Sequence, residues 1–199
     1  MTAMSDTRFR SLPLVIRRLA SCAAGPWGIA FVAGVASLTA LSLPSPASAQ
    51  SRNTEAGRRH AMERMVQEIR EDYPDVGTIA AAALRDALAA DDFVLVDVRT
   101  ERERRVSTLP GAITAEAFES RLEEFAGQTV VAYCTIGRRS SDYVRKMGRR
   151  GVEMLNLEGS VLAWTHAGGR LFNSGAPTNR LHVYGRRWNL AADGYETVW

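Results

Sequence analysis

Residues 129–140 read TVVAYCTIGRRS, an apolar run rich in β-branched residues that ends at a cysteine. A continuous run of this kind predicts a buried parallel strand over residues 129–134. Residues 140–150 have helical spacing, so Cys134 is expected where a strand ends and a helix soon begins. Ligands of open parallel sheets bind at the carboxyl ends of the strands. The sequence therefore predicts a site at Cys134.

Outward from this stretch, strand and helix patterns alternate. Apolar runs predict further strands at 78–80, 93–98 and 152–157, and a turn at 109–112 leads into another short strand. Helical spacing is present at 53–72, 81–92, 115–125 and 160–168. This alternation predicts an α/β fold with an open parallel sheet.

The first 49 residues have the three parts of a secretory signal. Arginines precede the uncharged apolar segment 27–43, and Ala47-Ser48-Ala49 ends the small-residue stretch that follows it. We therefore expect residues 1–49 to be a signal peptide and the protein to be exported to the periplasm, with only transient membrane contact. The alternative is an uncleaved membrane anchor at residues 27–43, although that segment is shorter than an ordinary span.

The net charge of residues 1–49 differs from that of the rest of the chain. The whole chain carries a formal charge of +3. The first 49 residues alone account for it, through Arg8, Arg10, Arg17 and Arg18 against Asp6. The remainder is neutral, so no nucleic-acid partner is expected. It divides into an N-terminal helix and linker (50–75), the domain of alternating strands and helices (76–172) and an aromatic tail (173–199) expected to be ordered.

The surroundings of Cys134 predict a reactive thiol. Loss of the signal would remove Cys22 and leave Cys134 without a disulfide partner. The backbone N–H groups of the following loop, the helix start and the guanidinium groups of Arg138 and Arg139 are expected to lower the thiol pKa. Gly137 would allow the tight turn. The alternative is a small buried hydrophobic cysteine without a chemical role.

The sequence as a whole resembles the rhodanese-like (thiosulfate sulfurtransferase) family. Four segments look like its landmarks in order: VLVDVR (94–99), LPGAI (109–113), VVAYCTIGRRS (130–140) and EGSVLAW (158–164). The resemblance implies a parallel sheet with helices on both faces. It also implies transfer of sulfane sulfur from an anionic, thiosulfate-like donor through a persulfide on Cys134 to a small or protein thiol, or to cyanide.

The resemblance also implies roles for particular residues. Cys134 would be the nucleophile, and the loop holding its sulfur would consist of Thr135, Ile136, Gly137, Arg138 and Arg139. Asp97 and Arg99 would order nearby loops. Ser107 and Thr108 stand where the family often has Gly-His, and Thr135 stands where thiosulfate-using members are basic; Arg138 and Arg139 are expected to compensate.

Three other functions remain open beside sulfur transfer. The first is a non-catalytic rhodanese-like binding module. The second is a cysteine phosphatase or arsenate reductase, for which the loop is one residue too short, since only four residues separate Cys134 from Arg139. The third is a redox-sensing thiol, because exposed low-pKa thiolates oxidise readily.

The remaining polar and aromatic residues are given structural interpretations. His60, His166 and His182 lack metal-ligand spacing, so no metal and no organic cofactor is expected. The mixed charges of residues 101–105 are interpreted as a solvated face, and Trp164 as part of the core. The tail aromatics between Tyr184 and Trp199 are expected to pack on the domain or on a partner, with a lid over the site as the alternative.

Overall fold

The computed structural model describes residues 54–88 and 93–199 of the 199-residue chain. The predicted signal peptide and the candidate anchor at 27–43 lie outside these residues. Within the described residues, no helix is both long and apolar enough to cross a membrane.

Six α-helices and nine β-strands are present in the described residues. The helices are α1 (Glu55–Asp72), α2 (Ala81–Ala87), α3 (Glu101–Arg104), α4 (Ala115–Glu119), α5 (Arg138–Gly148) and α6 (Ser160–His166). The strands are β1 (Thr78–Ala80), β2 (Phe93–Asp97), β3 (Ile113–Thr114), β4 (Thr129–Tyr133), β5 (Leu155–Glu158), β6 (Leu171–Asn173), β7 (Ala176–Thr178), β8 (Arg180–His182) and β9 (Glu196–Val198). Short 3-10 helices lie at Leu122–Phe125 and Arg186–Trp188.

The central sheet has five parallel strands in the order β1-β5-β4-β2-β3. Successive side chains of a strand point to opposite faces, and the core divides accordingly. Leu95, Val131 and Leu157 pack with α1, α2 and α6 on one face. Val94 and Val130 pack with α4 and α5 on the other. The predicted α/β fold with helices on both faces of a parallel sheet is confirmed.

The predicted helix 81–92 is observed as Ala81–Ala87, and its residues 89–92 lie outside the described part of the chain. Three other elements differ in extent from the prediction. The predicted helix at 115–125 is two elements, because the side chain of Ser120 bonds back to the carbonyl of Ala117 and Arg121 leaves helical geometry. The predicted strand at 152–157 starts only at Leu155, because Val152 is still used to close the end of α5 through the carbonyl of Met147.

The helix predicted over 140–150 starts two residues earlier, at Arg138. Gly137 has φ +118, a conformation that residues with a Cβ rarely adopt, and this turn ends the loop immediately before the helix. Arg138 and Arg139 are therefore the first residues of α5 instead of loop residues.

Residues 173–199 fold back onto the domain. β6 and β7 form a hairpin, while β8 and β9 form a separate parallel pair. Leu181, Val183 and Leu190 are buried in the same apolar cluster as α1, α2 and α6. This packing carries the 3-10 helix at Arg186–Trp188 to the carboxyl end of the central sheet.

Candidate active site

Cys134 directly follows β4, and its side chain is buried at 1% exposure. Its backbone N–H donates to Ser160 Oγ at 3.0 Å, and its carbonyl accepts from Val161 N at 3.3 Å. The next carbonyl, that of Thr135, accepts from Leu162 N at 3.2 Å. The cysteine loop is thus fixed against the first turn of α6, so the sulfur position is set by the backbone.

Polar hydrogens converge on the sulfur. Gly137 N–H donates to Sγ at 3.2 Å, and the hydroxyls of Ser140 and Ser160 lie 3.5 Å and 3.9 Å from it. A Cβ at position 137 would lie 3.3 Å from Asn156 Nδ2, so the site depends on glycine for space as well as for conformation. Two helix starts and a left-handed glycine therefore form a cradle for negative charge on Sγ.

The pKa of the Cys134 thiol is lowered by these surroundings. Burial by itself raises this pKa, because it disfavours the thiolate. The hydrogen bond from Ser140, the charge of Arg139 and the backbone N–H groups of Ser140 and Gly137 lower it, and together they outweigh burial. The thiol pKa is therefore below its ordinary value although the sulfur is buried, whereas burial in purely apolar surroundings would raise it.

The Arg139 guanidinium is held by a carboxylate. It forms two hydrogen bonds to Glu103, at 2.9 Å and 2.7 Å, and a third to Thr135 Oγ1 at 3.1 Å. Glu103 is 3% exposed; burial would raise its pKa, but Arg139 and Thr100 lower it to about 2. The positive charge of Arg139 is consequently balanced by the Glu103 carboxylate, so Arg139 is not an unpaired cation at the site.

Glu103 was not among the predicted site residues. The interpretation of residues 101–105 as a solvated face is wrong for this side chain, which points inward. The sequence contains one signal of this, because Thr100 and Glu103 form a capping box at the start of α3. That pattern fixes the carboxylate near the helix start, but only the fold brings it to Arg139.

The guanidinium of Arg138 does not lie beside the sulfur with that of Arg139. Its guanidinium donates to Asp72 Oδ2 at 2.6 Å and lies 5.9 Å from the centre of the Tyr73 ring, at the end of α1. Consecutive residues in the first turn of a helix point about 100° apart, so only one of the two arginines can face the sulfur. The expectation that both guanidinium groups surround the thiol is wrong for Arg138.

Asp97 and Arg99 lie in a buried network beside the site. The Arg99 guanidinium donates to Asp97 and also to the carbonyl of Ser107, at 2.6 Å each. Tyr133 OH donates to Asp97 Oδ2 at 2.6 Å and accepts from Leu109 N at 3.1 Å. The network joins the end of β2, the turn before β3 and the residue that precedes Cys134.

Ser140, Ser160 and Asn156 were also not predicted as site residues. Asn156 Oδ1 lies 2.6 Å from Ser140 Oγ and shares the single hydroxyl hydrogen of Ser140 with the sulfur, and all three side chains are buried. A polar residue within the apolar run 152–157 was a usable signal for Asn156. Nothing local distinguished the two serines, which follow glycines or arginines at helix starts.

A cavity of about 190 Å³ opens at the cysteine loop, and its surface is almost entirely apolar. It is lined by Cys134, Thr135, Ile136, Arg138, Arg139, Tyr184 and Trp188. The last two come from the tail, so part of the wall of this cavity is supplied from outside the predicted domain 76–172.

The three histidines are not brought into a cluster with other ligands. Across residues 54–88 and 93–199, no group of three or more His, Cys, Asp or Glu side chains has the arrangement of a metal site.

Comparison with known proteins identifies the fold family. The rhodanese-like domain family matches residues 80–167. Among solved structures, a rhodanese-related protein from Thermoplasma volcanium is 19% identical, with 48% of this chain and 97% of that one covered and a TM-score of 0.42. A thiosulfate sulfurtransferase from Pseudomonas aeruginosa is 20% identical, with 60% and 25% covered and a TM-score of 0.47.

A third solved structure, a protein from Helicobacter pylori, is 28% identical, with 52% of this chain and 91% of that one covered and a TM-score of 0.42. A comparison with curated proteins found no match. The family match spans β2, the cysteine loop and α6, and the sheet has the parallel order described above. Residues 80–167 of this chain are therefore a rhodanese-like domain.

Proposed function

We propose that this protein is a sulfurtransferase that carries sulfane sulfur as a persulfide on Cys134. The observation that carries the proposal is the cradle at Sγ, where Gly137 N–H and Ser140 Oγ approach a buried thiol of lowered pKa. A thiolate is the nucleophile in sulfur exchange, and these groups lower the pKa of the Cys134 thiol and so favour the thiolate.

In the first half-reaction, the Cys134 thiolate attacks the terminal sulfur of a donor such as thiosulfate. A bond forms between Sγ and that sulfur, the donor S–S bond breaks, and its electron pair leaves on sulfite. In the second half-reaction, a thiolate or cyanide attacks the outer sulfur, and Cys134 leaves as thiolate. The same N–H and hydroxyl donors can stabilise the charge that appears on sulfur in each step.

A phosphatase is not favoured by the geometry. Such chemistry needs an arginine free to hold a phosphate, whereas Arg139 is occupied by Glu103 and Thr135. A non-catalytic binding module is the second candidate, because Cys134 is 1% exposed and tail residues line the cavity in front of it. No metal or organic cofactor takes part in the proposed cycle.

The test is the intact mass of the full chain after exposure to thiosulfate, followed by cyanide. Cys22→Ser and Cys134→Ser form a matched pair, since each removes one of the two cysteines. We expect Cys22→Ser to gain one sulfur atom and to lose it to cyanide as thiocyanate, and Cys134→Ser to gain none. Absence of an adduct from thiosulfate and from polysulfide would refute the proposal and favour the binding module.

We also propose that the protein works in the periplasm after removal of residues 1–49. The supporting observation is the charged, apolar and small-residue order of that segment. The N-terminal sequence of the protein recovered from cell fractions tests this. Cytoplasmic protein that still begins at residue 1 would refute it.

A further inference from the structure

The cavity in front of Cys134 lacks a free charge among its described lining residues. Arg138 is directed to Asp72, and Arg139 is neutralised by Glu103. The N–H and hydroxyl donors of the cradle serve the sulfur itself. A doubly charged oxyanion would therefore lose its hydration on entering without gaining a free cation, which is costly.

Two aromatic residues of the tail, Tyr184 and Trp188, supply apolar surface to this cavity. The Tyr184 ring lies 4.9 Å from the Arg139 guanidinium carbon and 6.3 Å from the Trp188 ring, measured between centres. Ile136, which is 4% exposed, lines the same cavity. Arg139 is thus held between Glu103 and an aromatic face, and the two rings line the cavity in front of the sulfur.

The size of the cavity indicates what it can hold. At about 190 Å³ it exceeds the roughly 150 Å³ of an engineered apolar cavity that binds benzene. A group the size of one aromatic ring fits, and its contact with Tyr184 and Trp188 would remove apolar surface from water.

We propose that Tyr184 and Trp188 are specificity-determining residues that select a sulfur donor whose leaving group carries an uncharged, ring-sized apolar substituent. The inference rests on the proposed sulfurtransferase function and names its substrate class. Such a donor carries one negative charge instead of the two of thiosulfate, and its apolar substituent occupies the cavity while the terminal sulfur reaches the cradle.

Two thiosulfonates test this, because they share one reacting group and differ only in the attached group. Benzenethiosulfonate carries a phenyl ring and methanethiosulfonate a methyl. In both, the Cys134 thiolate forms a bond to the terminal sulfur, the bond from that sulfur to the sulfonyl group breaks, and the sulfinate leaves with the electron pair. Thiosulfate is the third donor, with two charges and no apolar group.

The measurement is kcat/KM for each donor, with cyanide as acceptor, in wild type and in tail variants. Tyr184→Ala is expected to lower the ratio of the benzene to the methane donor by about fivefold, the loss of one apolar ring face. Tyr184→Phe keeps the ring and should retain the ratio. Trp199→Ala is the matched control, since Trp199 is also an exposed tail aromatic, at 51%, but does not line the cavity.

The outcomes separate the two proposals. An unchanged ratio in Tyr184→Ala, or an equal loss in Trp199→Ala, overturns the specificity inference while leaving sulfur transfer intact. A wild-type preference for thiosulfate over the benzene donor also overturns it. Failure of all three donors to form a persulfide on the wild type overturns the proposed function instead.

Discussion

Asp97→Asn tests the buried network that supports the cysteine loop. The carboxylate accepts from the Arg99 backbone N at 3.0 Å, from Arg99 Nε at 2.9 Å and Nη2 at 2.6 Å, and from Tyr133 OH at 2.6 Å. The Asp97 and Arg99 side chains are 1% and 0% exposed. An amide at this position would leave the buried Arg99 guanidinium without its counter-charge. It would also place an NH2 group, which is a donor, opposite the N–H and O–H groups that donate to Asp97.

The expected cost follows from that burial. Removing one partner of a buried ion pair costs about 3–5 kcal/mol, against a total stability of about 5–15 kcal/mol for an ordinary domain. Tyr133→Phe removes only the hydroxyl, leaves Leu109 N–H without its acceptor, and should cost about 1–3 kcal/mol. Because both changes act on one network, their effects in the double variant should be less than additive.

Urea unfolding followed by circular dichroism gives these free energies. Asp86→Asn is the control, since Asp86 is also paired with an arginine but is 65% exposed, and it should change stability by about 0.5 kcal/mol or less. A loss below about 1 kcal/mol for Asp97→Asn would refute the reasoning. It would mean that the guanidinium finds water or another partner in place of the carboxylate.

Three further predictions concern the sulfur and its neighbours. Burial raises the pKa of Cys134 while Arg139 lowers it, so Arg139→Gln should raise the thiol pKa and Arg138→Gln should leave it nearly unchanged. Iodoacetamide alkylation rates against pH measure this, and equal effects of the two variants would contradict the assigned orientations. Gly137→Ala should cost about 1–2 kcal/mol in urea unfolding and should slow persulfide formation, because φ +118 disfavours a side chain and the N–H would leave Sγ. A fully active and stable Gly137→Ala would show that the loop relaxes freely. Burial would raise the pKa of Glu103, but Arg139 and Thr100 hold it at about 2, below the ordinary 4.5. The contribution of ionised Glu103 to the free energy of unfolding is therefore fully present above pH 4.5. It is lost as the pH falls towards about 2, which lowers the free energy of unfolding by up to about 3 kcal/mol. Glu103→Gln should flatten the acid unfolding curve in that window, and an unchanged curve would contradict the pairing.

The elements near the cysteine could be predicted because their signals are local. The β-branched run at 129–133 and the apolar pattern of β2 favour strands through residues that are adjacent in the sequence, and the glycine at 137 marks the turn between β4 and α5. The boundaries were less predictable. Gly137 started α5 at Arg138, and Ser120 ended α4 early, both through hydrogen bonds and dihedral angles that periodicity does not encode.

A parallel α/β sheet, a cysteine at the end of strand β4 and the order of rhodanese-like landmarks could all be inferred from local sequence patterns. The pairing of Glu103 with Arg139, the pairing of Asp72 with Arg138, and the position of Tyr184 and Trp188 at the cavity became visible only in the folded protein. These partners are separated from the cysteine loop by tens of residues along the chain. Periodicity and turn chemistry act over a few residues, whereas the partner of a charge or the wall of a cavity is set by which distant segments the packed core brings together.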